Sequence, residues 1–179
     1  LLRSSAGYRI SDNCSMPTFS SLWSKPPHVT GEGALLDTKV YENQCAIDLS
    51  AALLRSGMEM KSYTGQWSWQ KDKPKYAIRA QELANWLATP AAKLSFPPEK
   101  MPGREAFGEV EGKRGIAGRT GVVFFQDYWG AGGQGDHIDL WNGSRLTDVA
   151  SWVRIYARLG PIGLGTDYRK AQSTWFFPV

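Results

Sequence analysis

Residues Asn43–Leu54, NQCAIDLSAALL, decide how the first half of the chain is read. Ile47, Ala51 and Leu54 recur at helical spacing, and Leu49, Ala52 and Leu53 widen the apolar face. The stretch therefore predicts an amphipathic helix from about Cys45 to Arg55, with Gly57 as its C-terminal stop. Cys45 is one of two cysteines in 179 residues and falls at the start of that helix. Unpaired backbone N–H groups and the positive end of the helix dipole gather there, and both favour thiolate over thiol. Cys45 is the candidate catalytic nucleophile. Such a group requires a base, a third residue to hold the base, and a cleft.

Outward from this helix, Met16–Trp23 predicts a short helix with Pro17 in its first turn, and residues 24–34 read as loop around Pro26, Pro27, Gly31 and Gly33. Residues 58–75 read as a strand or long loop carrying Trp67 and Trp69. Tyr76–Ala88 is the clearest helix of the chain, ended by Pro90, with Ile78, Leu83, Trp86 and Leu87 on one side. Residues 89–115, rich in proline and charge, read as loop with one short helical turn. Residues 1–15 read as a polar extension of a single domain spanning 16–179. They lack the apolar core of a secretory signal.

The second half changes texture. Gly121–Tyr128, GVVFFQDY, predicts a buried strand; Gly130–Gly135 a flexible loop, a candidate gate for the cleft or a plain connector; His137–Trp141, HIDLW, a half-buried strand; and Thr174–Val179 a final strand. Val149–Leu159 fits helix or strand. Asn142-Gly143 is a strong two-residue hairpin signal, with Ser144–Asp148 returning as the partner strand. Helices first and strands second, without βαβ alternation, predict an α+β fold with N-terminal helices packed on a C-terminal antiparallel sheet.

Taken literally, that hairpin places Trp141 opposite Ser144 and His137 opposite Asp148. Opposed side chains lie about 4.5–5.5 Å apart at Cβ. Asp148 would then hold one imidazole nitrogen of His137 while the other faces a thiol, which is the base–orienter half of a Cys-His-Asp triad. Asp139 is the rival, two residues from His137 on the same strand, and a β-bulge would shift the register. His28, in a proline-rich loop, is the less favoured base. Singly, each of these residues has a packing explanation, since a buried cysteine is commonly a small core hydrophobe.

Bulk properties exclude several classes. At 42% apolar and 21% charged the chain is an ordinary globular one. Its net charge of +4 suits an anionic neighbourhood but is first read as a solvated surface, so no nucleic-acid partner is assigned. No apolar run approaches a membrane span. Two cysteines and two histidines, widely scattered, lack zinc-ligand spacing, so no metal or organic cofactor is expected. Cys14 and Cys45 must stay unpaired if Cys45 is the nucleophile. Eight tryptophans suggest aromatic surface as well as core, and Trp67, Trp69 and Trp141 are candidates to line a groove, with simple packing the alternative.

From Met16 onward the sequence resembles the type VI secretion amidase effectors, family four. The resemblance rests on MPTFSSLW, ENQCAIDLSAAL, YAIRAQELANWL and GRTGVVFFQDYW, and above all on GDHIDLWNG at its distance from the cysteine block. It implies a papain-like amidase fold related to the NlpC-type cell-wall peptidases, with the family's cysteine, histidine and aspartate at Cys45, His137 and Asp148. It also implies a substrate, the γ-D-glutamyl–meso-diaminopimelate amide of peptidoglycan stems. Such effectors are made in the cytoplasm and delivered by the secretion apparatus to the periplasm of a rival bacterium. A cognate immunity protein, usually a dimer plugging the active site, protects the producer. One departure is Asp48, where that family commonly has Arg; it is expected to face away from the nucleophile. The Cys45 amide and the Gln44 side chain are the candidate oxyanion donors. A cysteine-dependent acyltransferase and a non-catalytic wall-binding module remain the alternatives.

Overall fold

The computed structural model describes residues 17–108, 111–112, 114–129, 135–148 and 167–179. The expected extension 1–15 with Cys14, most of the expected gating loop, and the Val149–Leu159 segment lie outside the described residues. Thr18 caps α1 (Phe19–Trp23) by accepting from the Ser21 amide at 3.3 Å. The expected loop after it contains a one-turn helix, α2 (Pro27–Thr30), closed by Gly31 in the left-handed region. The cysteine helix α3 runs over Cys45–Arg55, as its periodicity predicts. Gly57, at φ 84°, turns the chain away, and the Met58 amide donates to the Leu53 carbonyl at 3.0 Å.

The next helix, α4, occupies only Ala80–Leu87 rather than starting at Tyr76. Tyr76–Ile78 run extended because their backbone groups are already claimed. The Ser68 amide donates to Tyr76 O, the Ile78 amide to Gln66 O, and the Ala77 amide to the Ser50 hydroxyl on α3. Helical periodicity extends over these residues, but tertiary partners hold their backbone groups. The proline-rich segment holds a short strand, β1 (Glu99–Met101), and the one-turn α5 (Gly103–Ala106). β1 has too few residues to show alternation.

Among the described residues, four antiparallel strands form one sheet in the order β1-β4-β2-β3, with β2 at Gly121–Trp129, β3 at Gly135–Trp141 and β4 at Ser173–Pro178. β2 is flanked on both sides, which is why Gly121–Phe125 is buried without alternation. Val122, Phe124, Ile138, Leu140 and Phe177 face α3 and α4, against Leu49, Leu53, Leu83 and Leu87. Val123, Phe125, Trp141 and Phe176 form the other face, against Ile116 and Tyr168. Among the described residues no helix is long and apolar enough to cross a membrane.

The two-residue hairpin does not form. Asn142 Oδ1 accepts from the Ser144 and Arg145 amides at 3.0 and 2.9 Å, and Gly143, at φ 97°, accepts at its carbonyl from the Gly118 amide. The longer loop is closed by a bridge between Trp141 and Leu146, so pairing is displaced by two residues, and Ser144–Asp148 makes no strand. That displacement overturns the expected His137–Asp148 register, while on its other side His137 lies opposite Phe125 of β2. A second irregularity sits in β2 between Phe125 and Trp129, where Asp127 adopts φ 52°.

Phe124 is fully buried where the sheet meets both helices. Phe124→Ala is expected to lower unfolding free energy by about 3–5 kcal/mol in urea titrations. A loss below about 1 kcal/mol would mean that this sheet–helix interface is not the core of the fold.

Candidate active site

α3 packs its first turn against β3, an edge strand of the sheet. Edge strands carry outward amides without a strand partner. Here the Ile138 amide donates to the sulfur of Cys45, and the Ala46 amide does so from within the helix. Cys45 is a free thiol. The residue keeps some exposed surface, yet burial of its thiol pushes the pKa up to about 11, outweighing the two amides, while Asp139 and Asp48 push the same way. The thiolate expected from the helix start alone is thus not the resting form. Desolvation dominates the dipole at this position.

His137 and Asp139 follow on β3. His137 Nε2 stands 4.0 Å from Asp139 Oδ2, beyond hydrogen-bond distance. The imidazole lies among aromatic rings, with centroids 5.5 Å from Tyr168 and 6.5 Å from Tyr128. Asp139 accepts from the Leu140 amide at 2.7 Å, from the Thr147 amide at 3.0 Å and from the Thr147 hydroxyl at 2.7 Å. These bonds tie the loop after β3 back onto the strand. They favour the ionised carboxylate, but burial is the larger effect and raises Asp139 to about 7. Asp148, the next residue after Thr147, borders the same cleft as Cys45, His137 and Asp139, a space of about 370 Å³.

Two expectations about the walls of this cleft are corrected. Asp48 does not face away from the nucleophile. It lies one turn along α3 from Cys45, is 7% exposed, and borders the cleft. Its Oδ2 is 3.1 Å from Nε2 of His28 on α2, so the less favoured base is a partner of Asp48 on the rim. Burial raises Asp48 to about 6, with His28 and Arg55 opposing the rise. Gln44 also borders the cleft, but its Nε2 donates to the Tyr41 carbonyl at 2.5 Å.

The expected tryptophans do not line this cleft. Trp141 is fully buried and donates from Nε1 to the Ile116 carbonyl at 2.8 Å. Trp67 packs edge-on against Tyr63, with centroids 5.0 Å apart. Trp69 is 60% exposed but leans on Tyr41, away from the cleft. Among the described residues, Trp129, 43% exposed at the end of β2, is the tryptophan that borders the cleft. Its signal in the sequence was position: an aromatic ending an apolar strand immediately before a glycine-rich stretch. Among the described residues no cluster of histidine, cysteine or carboxylate side chains is arranged to hold a metal ion.

The buried carboxylates have a consequence for stability. An acid whose folded-state pKa exceeds its unfolded value contributes stability that is present below the unfolded pKa and is lost as pH rises through the folded one. Asp139 acts this way from about pH 4 to about 7, and Asp48 with the same sign to about 6. The stability difference between Asp139→Asn and wild type should move in the variant's favour as pH is raised across that window, read from urea unfolding at its two ends. A constant difference would contradict a buried, ionising Asp139.

A family model described as type VI secretion system (T6SS), amidase effector protein 4 (Tae4), matches residues 41–177. Comparison with curated proteins finds no match. Among solved structures, the Tae4–Tai4 effector–immunity complex from Salmonella Typhimurium superposes with TM-score 0.61 at 13% identity, covering 92% of this chain and 99% of that one. The corresponding complex from Enterobacter cloacae gives 0.58 at 20% identity with the same coverage. Tae4 from Enterobacter cloacae alone gives 0.55 at 18%, covering 92% and 98%. These identities establish a shared fold; the family-model match spans most of the chain, with Cys45, His137 and Asp148 all inside it, and so the chain belongs to the type VI secretion system amidase effector protein 4 family.

Proposed function

We propose that the chain hydrolyses the γ-D-glutamyl–meso-diaminopimelate amide of peptidoglycan stem peptides, with Cys45 as nucleophile, His137 as base and Asp148 as orienter. The observation that carries this reading is the convergence of those three residues on one cleft where a helix start meets an edge strand. The arrangement is read as papain-like and NlpC-type, with the nucleophile on a helix packed against the strand that bears the histidine. Asp139 takes the supporting part, because its oxygens already serve Leu140 and Thr147.

Cys45 rests as a neutral thiol, so His137 removes its proton as sulfur attacks the γ-glutamyl carbonyl, rather than holding a standing thiolate–imidazolium pair. The Ile138 and Ala46 amides, already donating to sulfur, stabilise the charge that appears there. The Cys45 backbone amide is the oxyanion donor of choice, since it is fixed at the helix start, while one of the two Gln44 Nε2 donors is given to the Tyr41 carbonyl. His137 returns the proton to the departing diaminopimelate amine. Water then adds to the thioester with His137 again as base, releasing the γ-glutamyl acid and restoring the thiol. Secretion into target cells accords with family membership, and the periplasm of the target bacterium is the compartment proposed for its action. A cognate immunity protein is proposed on the pattern of the Tae4–Tai4 complexes, and its dimeric state and seat over this cleft are part of the proposal.

Mass spectrometry of muropeptides after digestion tests the reading. Wild type is expected to expose a new diaminopimelate amino group, and Cys45→Ala to leave the stem intact. Asp148→Ala should lose about a hundredfold or more in kcat/KM. Asp139→Ala, normalised to folded protein, should lose far less. The reverse order for the two aspartates would transfer the orienting part to Asp139, and incorporation of an added amine without hydrolysis would indicate an acyltransferase.

A further inference from the structure

Cys45 borders not one cleft but two. The second, also about 370 Å³, shares Asn43, Cys45, Trp129 and Asp136 with the first and extends toward the start of α4. The nucleophile thus lies where two arms meet, as cleavage of an internal bond requires. The arms differ in charge. The first is bordered by five carboxylates, Glu42, Asp48, Asp136, Asp139 and Asp148, and the second by two, Glu82 and the shared Asp136. Among the described residues bordering either arm, Arg79 is the only Lys or Arg, and it belongs to the second.

Arg79 is braced. Its Nε donates to Gln66 Oε1 at 2.8 Å and lies 3.7 Å from Glu82 Oε1. Glu82 in turn accepts from the Gln66 amide at 2.6 Å through its other oxygen. Both contacts use Nε, so the two terminal Nη groups are left to present a fork, the geometry that pairs with a carboxylate.

We propose that Arg79 is a specificity residue that binds the α-carboxylate of the γ-glutamyl residue on the acyl side of the scissile bond. The inference rests on the stem-peptide reading above. A γ-glutamyl amide differs from an ordinary peptide in carrying a free carboxylate a few bonds from the carbonyl under attack. The free end of the diaminopimelate half carries an ammonium group beside its carboxylate, and the carboxylate-rich arm is complementary to that ammonium. The charge difference between the arms therefore fixes which way round the stem lies across Trp129 and Cys45.

Steady-state kinetics on three synthetic stems test this: the free acid, the form amidated at the glutamyl α-carboxylate, and the form amidated at the diaminopimelate carboxylate. For wild type, glutamyl amidation is expected to raise KM about tenfold, and diaminopimelate amidation to change it by less than about twofold. Arg79→Ala should raise KM for the free acid about tenfold, with kcat retained, and should erase the distinction between free and glutamyl-amidated stems. Arg79→Lys should recover part of that distinction, as charge without a fork. Equal wild-type KM for the first two stems, sensitivity to diaminopimelate amidation in their place, or discrimination surviving in Arg79→Ala would each overturn the assignment while leaving the amidase reading intact. Failure of wild type on all three stems and on muropeptides would overturn that reading, and this inference with it.

Discussion

The Ile138 amide donates to the sulfur of Cys45, and the site takes its geometry from that contact. An edge strand needs its outward amides covered, and a nucleophile needs donors for the charge it will carry. One hydrogen bond meets both needs. It requires α3 to begin at the edge of β3, which in turn requires the apolar stripe of Leu49 and Leu53 to lie over Ile138 and Leu140. On the other side of α3, Ile47 and Ala51 pack against Leu36, Tyr41 and Tyr76. The helix is held from two sides, so its first residue has little freedom to move relative to the strand.

Burial has a second effect here. The same enclosure that secures Cys45 raises its pKa to about 11 and those of Asp139 and Asp48 to about 7 and about 6. A resting cleft of neutral thiol and partly protonated carboxylates is guarded against thiol oxidation, because thiolate is the oxidisable form. It also means that the proton must leave sulfur during the reaction, which places the demand on His137. The Asp139–Thr147 bonds hold the residue before Asp148, so the loop that carries the proposed orienter is anchored to the strand that carries the base.

Much of this was legible in the sequence, and the failures share a cause. The apolar stripe of α3, the run Val122–Phe125 and the TWFFPV strand are local patterns, and each formed where periodicity put it. Cys45, His137, Asp139 and Asp148 were all candidates and all border one cleft. Where long-range partners decide, local reading failed. Tyr76 and Ala77 look helical but give their amides to Ser68 and Ser50. Asn142-Gly143 looks like a tight hairpin, but the Asn142 side chain bonds forward to Ser144 and Arg145 and the loop docks on Gly118. Asp148 reached the cleft by that loop, not by the strand register that first suggested it. Helical position alone leaves Asp48 expected to face away from the nucleophile, and its pairing with His28 depends on a one-turn helix with no periodicity to read.

The central claim is that the sulfur held by Ile138 is the group that attacks the stem. A γ-glutamyl stem analogue ending in a chloromethyl ketone at the scissile carbonyl would alkylate that sulfur, which displaces chloride to form a stable thioether. Peptide mapping is expected to find one equivalent of label on Cys45, with activity falling in proportion to labelling. Activity lost while Cys45 stays unlabelled, or hydrolysis continuing with Cys45 fully labelled, would contradict it.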